Sequence, residues 1–377
     1  MKTHLIFSAA LAAITMMLPS ASLKAYNSKT EAAKFTLAPG DTASFPTNYV
    51  RVQTLLQTTV EFKSFQSFAL GRGTEKTFAA GWIEITDTDV VIFGTELKTK
   101  TLEEDAWVVP GSKEANTVRE RVAKEKERFP HGLDMRGVKK ITVSINIGDI
   151  YADLMITTPK GAFTKVLNHW WSGGIPFVKN LGSKNISAEL VFERKYADKP
   201  IWFMGDSYFN STSKARWPYY MRMAGYTNWM ADHLPGGNAT QLLPCLKHDL
   251  EFGTPKIVVW GLLGNEPGDI GLEPNPNWMK AVTEFLAICK EKGITPVFIL
   301  ASSPGQNRQG KNNWIKENGY RYIDIPEFIV DHVDENGKCA WKDPSWLGED
   351  KVHPTEEGAK IMWKAVERDL PELKTLN

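Results

Sequence analysis

Cysteine is scarce in this 377-residue chain. With residues only at 245, 289 and 339, at most one disulfide can form, and a disulfide framework is excluded. The cysteine spacing matches no metal-binding pattern, and no metal or other cofactor is expected. Charge of one sign is lacking too, since 45 Lys and Arg stand against 44 Asp and Glu and no basic block carries interleaved aromatics. Nucleic acid is therefore not an expected partner. Beyond the first 25 residues no apolar run approaches the ~18 residues of a spanning helix, so no membrane span is expected. Internal repeats and low-complexity stretches are missing as well.

What is present starts with Lys2, an apolar run from Leu5 to Leu18, and small residues from Ala21 to Ala25. The order basic, apolar, small is that of a secretory signal peptide over residues 1–25, cleaved after Ser22 or Ala25. The mature protein is expected outside the cytoplasm, in a periplasm or the extracellular space. At this length the chain can bury two cores.

Residues 26–195 alternate with period two in several places, as strands with one face in a core do. Ile141, Val143, Ile145 and Ile147 share one side, and so do Ile186, Ala188, Leu190 and Phe192. The Ile- and Val-rich stretch 81–94 reads as a hairpin. The expected architecture is an all-β sandwich, jelly-roll-like, serving as an accessory domain. Between these strands, 112–128 is dense in charge and reads as a solvated helix or loop. Trp170 and Trp171 are expected to pack in a core.

From residue 196 to 377 the rhythm changes to short apolar runs separated by helical patterns, the mark of βαβ units on a parallel sheet. Strands are predicted over 200–204, 256–263, 295–301 and 320–325. Met279, Val282, Phe285, Leu286 and Cys289 recur at helical spacing, with Asn277 to cap that helix and Gly293 to end it. Cys289, on the apolar stripe, is expected to be buried and unpaired. Thr355 is placed to cap a last helix, with Glu356 and Glu357 at its positive end.

Ser207 follows the strand through the tight sequence Gly205-Asp206-Ser207, which puts its hydroxyl at the carboxyl end of a strand, where open α/β sheets gather reactive groups. A serine hydroxyl needs a base to act as a nucleophile at neutral pH. Asp350-Lys351-Val352-His353-Pro354 offers one, because three residues of separation on a turn let the carboxylate accept from imidazole Nδ1 while Nε2 faces outward. Other motifs fail. Ser211-Thr212-Ser213-Lys214 has no accompanying Lys-Thr-Gly, and Phe209 stands where a Gly-x-Ser-x-Gly elbow needs glycine. Asp334-Glu335-Asn336-Gly337 lacks the remaining ligands of a calcium loop.

These segments resemble the SGNH (GDSL) hydrolase family, whose four blocks centre on Ser, Gly, Asn and His. Ser207 in Gly-Asp-Ser-Tyr matches the first block, and Asp350 to Pro354 the fourth. Gly236-Gly237-Asn238-Ala239-Thr240 resembles the second through Gly237, and Gly264-Asn265-Glu266 the third through Asn265. Glu266 departs from the family, in which aspartate usually follows the asparagine. The resemblance covers about 199–372. It implies a three-layer α/β/α domain with a flavodoxin-like parallel sheet, and a serine esterase with Ser207, His353 and Asp350 as catalytic residues. It also implies an oxyanion hole built from the N–H groups of Ser207 and Gly237 and the Asn265 side chain.

Tyr208, Trp341 and Trp346 are candidates to touch substrate, since flat aromatic faces suit sugar rings. The expected activity is removal of small acyl groups, acetyl foremost, from polysaccharide. A lysophospholipase or general short-chain esterase is the alternative enzyme, and a non-catalytic glycan-binding protein the alternative of another class.

Overall fold

The computed structural model describes residues 30–45, 50, 53–73, 81–93, 126–148, 151–168, 175–234, 236–261, 265–304 and 307–376. The candidate signal peptide, Trp170 and Trp171, and most of 112–128 lie outside them. Residues 126–128 form the start of a strand rather than a helix or loop, because they pair with the edge of a sheet at Val91–Phe93.

The N-terminal part is a sandwich of two six-stranded antiparallel sheets. One sheet runs in the order β1 (Thr30–Leu37), β12 (Ile186–Arg194), β3 (Thr54–Glu61), β8 (Lys140–Ile147), β9 (Tyr151–Thr158), β10 (Gly161–Asn168). The other runs β2 (Thr42–Ser44), β11 (Ile175–Asn180), β4 (Phe68–Gly73), β5 (Gly81–Ile85), β6 (Asp89–Phe93), β7 (Lys126–Pro130). The alternation in sequence is the alternation in space: Ile141, Val143, Ile145 and Ile147 on β8 and Ile186, Ala188, Leu190 and Phe192 on β12 are all buried in one core.

The chain leaves β12 at Arg194 and enters β13 (Ile201–Gly205), the second strand of a five-stranded parallel sheet. Its order is β14 (Trp229–His233), β13, β15 (Ile257–Gly261), β16 (Thr295–Ile299), β17 (Tyr322–Ile323). Trp202, Met204, Val258, Trp260 and Phe298 pack on one face against α2 (Ala239–Asp249) and α3 (Pro276–Lys292). Ile201, Phe203, Val259, Val297 and Ile299 pack on the other against α1 (Trp217–Met223) and α4 (Glu356–Asp369). Runs buried on both faces are what a covered parallel sheet demands. The protein is thus α/β, a three-layer domain preceded by an all-β sandwich.

Strand order reverses at β13, where successive crossovers depart to opposite sides and open a crevice at the carboxyl ends. Two elements differ from expectation. The sheet has an edge strand, β14, that was not predicted, since Asp232 and His233 interrupt its apolar run although both are buried. Helix α3 is capped by Asn275, whose side chain accepts from Asn277 N–H, because Pro276 already occupies the first turn, where its missing N–H costs nothing. Gly293 ends the helix in the left-handed region at φ 67°. Cys245, Cys289 and Cys339 are all buried, and none forms a disulfide.

Candidate active site

β13 delivers Ser207 to the crevice through a backbone that only glycine permits at 205. A Cβ there would run into the Phe209 ring and the Gly261 carbonyl. The chain then turns into a short 3₁₀ segment, Ser207–Phe209, capped by Asp206 Oδ1, which accepts from Tyr208 N–H at 3.1 Å. Arg216 Nε donates to the Ser207 carbonyl at 2.8 Å and fixes the turn from its far side.

Ser207 Oγ lies 2.6 Å from His353 Nε2, and His353 Nδ1 lies 2.7 Å from Asp350 Oδ2. The carboxylate can only accept, so Nδ1 carries a proton toward Asp350 and Nε2 is left to accept from the serine hydroxyl. Asp350 Oδ1 also accepts from the backbone N–H of Val352 at 3.0 Å and of His353 at 2.9 Å, folding the loop around the acid. Lys351 adopts φ 58° to close that turn. Partial burial works to raise the Asp350 pKa, but the His353 N–H, its imidazole and the Val352 N–H outweigh it and hold the carboxyl down at about 2.

Tyr208 is buried and its hydroxyl donates to the Val352 carbonyl, with its ring centroid 5.4 Å from that of His353. It steadies the base loop instead of offering a face to substrate, as expected of it from sequence. Trp341 is likewise buried, at 7% exposure, with Nε1 donating to Ser302 O at 2.8 Å. It packs the core under the loop and is withdrawn from any ligand. Trp346 is half-buried against the same core, and its carbonyl accepts from Thr355 N–H at 2.7 Å beside the His353 turn.

The second and third loops reach the serine differently. Asn265 Nδ2 donates to Asp206 Oδ2 at 3.3 Å, which brings its amide to the residue before the nucleophile. Gly237 is in place, and a Cβ there would meet Leu234 Cγ at 2.5 Å. Its N–H, however, donates to the Leu234 carbonyl at 2.9 Å, while Leu234 N–H donates to Gly205 O at 2.8 Å. The turn thus uses the donor that sequence reasoning assigned to an oxyanion.

Glu266 was noted only as a departure from pattern, yet it joins the two loops. Its side chain is buried and accepts from Ala239 N–H, the first residue of α2, while Asn238 caps the next two N–H groups of the same helix. Arg308 Nη1 donates to the Glu266 carbonyl, and Lys311 Nζ donates to Pro267 O at 2.8 Å. Burial drives the Glu266 pKa up to about 7, against the opposing pull of Ala239 N–H, Lys311 and Arg308. Among the described residues no group of three His, Cys, Asp or Glu could hold a metal ion.

No protein-family model matches the chain, and no curated protein matches it. Solved structures do. A protein of Desulfitobacterium hafniense assigned to a lipolytic G-D-S-L family is 16% identical, with 45% of this chain covering 98% of that one at a TM-score of 0.37. The esterase EstA of Pseudoalteromonas is 13% identical, with 46% of this chain covering 98% of it at a TM-score of 0.36. A protein of Bacteroides fragilis described as an acylhydrolase is 18% identical, with 48% of this chain covering 89% of it at a TM-score of 0.35. Less than half of this chain is therefore similar to nearly the whole of each of these three lipolytic or ester-cleaving proteins.

Proposed function

We propose that this chain is an exported serine esterase of the SGNH type that removes small acyl groups, acetyl foremost, from polysaccharide. The observation that carries the reading is the chain of contacts from Ser207 Oγ through His353 to Asp350, at the carboxyl end of β13, where the strand order reverses. Ser207 Oγ attacks the ester carbonyl carbon while His353 Nε2 takes its proton. The C–O bond to the alcohol then breaks, and the imidazolium returns the proton to the leaving oxygen. Water repeats the sequence on the acyl-serine, releasing the carboxylic acid and restoring the hydroxyl. Asp350, held ionised, keeps the imidazole in the required tautomer and stabilises its charged form.

The negative charge that develops on the carbonyl oxygen meets the Ser207 N–H and the Asn265 amide. Gly237 N–H joins them only by leaving Leu234 O. A small acyl group is favoured because no long apolar lid follows Ser207: residues 210–216 are polar and mixed. Export rests on the signal-like residues 1–25.

Hydrolysis of aryl acetate, butyrate and palmitate, with Ser207→Ala as the blank, tests the reaction, and acetate release from acetylated xylan and pectin tests the substrate. Faster cleavage of palmitate than acetate would move the assignment to a lipid esterase. No cleavage of any ester would leave a glycan-binding protein on this fold.

A further inference from the structure

Among the described residues, three other than glycine hold a left-handed backbone: Gln53 (φ 59°), Tyr196 (φ 62°) and Lys351 (φ 58°). In that region a side chain's Cβ crowds its own backbone, so such residues persist where surrounding structure overrides the strain, often at sites that bind or react. Lys351 belongs to the base loop. The other two line one cleft of about 330 Å³ between the sandwich and the α/β domain, a volume at the lower end of the range for small-molecule sites.

Hydrogen bonds fix the sandwich side of the cleft. Lys195 N–H donates to the Gln53 carbonyl at 2.9 Å, and Lys199 N–H to the Tyr196 carbonyl at 3.0 Å. The Lys195 ammonium donates to Asn146 Oδ1, at the end of β8. The sandwich therefore contributes amides, and the α/β domain contributes the Arg222 guanidinium with the Thr212 hydroxyl, which also donates to Asn210 Oδ1 at 2.8 Å, while Ser211 lines the cleft but is itself buried. Tyr196 stays 48% exposed and offers a flat face. No Asp or Glu is among the described lining residues. Glu193 and Asp153 act on the charge of Lys195 from nearby, whereas Arg222 is exposed, lies 5.6 Å over the Tyr219 ring and makes no ion pair among the described residues.

Amides, a hydroxyl, an exposed ring and a guanidinium with no ion-pair partner among the described residues suit a sugar that bears a carboxylate. We infer that this interdomain cleft binds a carboxylate-bearing saccharide unit of the polymer whose ester Ser207 cleaves. The saccharide class follows from the cleft itself, while its belonging to the substrate rests on the esterase reading. Ser211 is four residues from Ser207, within ~15 Å by the reach of the chain, so one oligosaccharide can engage both places.

Calorimetric titration of the Ser207→Ala protein with trigalacturonate and with neutral xylotriose tests the cleft. Trigalacturonate should bind, and xylotriose should bind about tenfold more weakly. Adding Arg222→Gln should weaken trigalacturonate by a similar factor. Adding Tyr196→Gly should also weaken it while leaving the melting temperature unchanged or higher, since glycine relieves the left-handed strain. No binding at millimolar sugar, binding that both substitutions leave intact, or equal binding of the two sugars overturns the inference. Aryl acetate cleavage by the unsubstituted protein is read alongside. If it is present and the titration fails, the cleft assignment falls alone; if it is absent and the sugar binds, the esterase reading falls alone.

Discussion

Arg194 Nε, at the end of the sandwich's last strand, donates to Asp249 Oδ1 at 2.7 Å, and both side chains are closed to solvent. The same guanidinium reaches Asp232 Oδ2 on β14 at 3.1 Å. One residue of the sandwich therefore grips the strand that leads into the Leu234–Gly237 turn and the far end of the helix that follows it. Around this grip, Phe192 of β12 lies 5.6 Å from Phe252 and 6.0 Å from His248, ring to ring, which continues the sandwich core under α2.

Removing one partner of a buried ion pair strands the other charge, at a cost of about 3–5 kcal/mol. Arg194→Ala should lower the melting temperature by on the order of 10 °C. The unsubstituted protein should melt in a single calorimetric transition. Two separated transitions would show that the domains are independent and that this contact does not couple them.

Ser207→Ala and His353→Ala should each remove nearly all esterase activity, and the double substitution should be scarcely worse, because the pair acts as one unit. Asp350→Asn should cost less than either if solvent can still orient the imidazole. Additive losses in single-turnover kinetics would sink the pairing.

Asn265→Ala should lower kcat by roughly 10²-fold to 10³-fold with little change in KM, since its amide meets a charge that exists only along the reaction path. A raised KM at unchanged kcat would instead make Asn265 a binding residue.

Glu266 gives the fold a pH dependence of known sign. Its folded pKa of about 7 lies above the ~4.3 of a free glutamate, so its share of stability is fully present below about pH 4 and is lost as pH rises through 7. Glu266→Gln keeps an acceptor for Ala239 N–H but cannot ionise. Relative to the unsubstituted protein, it should therefore gain melting temperature between pH 5 and pH 8, by the equivalent of on the order of 3 kcal/mol at most. A difference that stays flat across that range would mean Glu266 does not titrate there.

Local patterns carried much of this structure in the sequence. The alternation of β8 and β12, the covered strands β13, β15 and β16, and the stripe of α3 each follow from a period that the backbone imposes. So did the Asp350–His353 turn, because its hydrogen bonds span three residues. What was illegible depends on partners remote in the chain. β14 hides behind Asp232 and His233, whose burial makes sense only once Arg194 is brought to Asp232. Glu266 finds its helix terminus 27 residues upstream. Trp341 looked available beside the base loop, and nothing local announced that Ser302 O would take its indole N–H. Asn275 was a readable cap, since Pro276 directly follows it.

The three buried thiols set a condition on where this fold can be reached. Burial pushes the Cys289 thiol up to about 12 and the Cys339 thiol up to about 11, so neither presents a thiolate at neutral pH. No cross-link has to form and none has to be undone. The cores close without a covalent link, and the same native state is open to the chain in a reducing compartment and in an oxidising one.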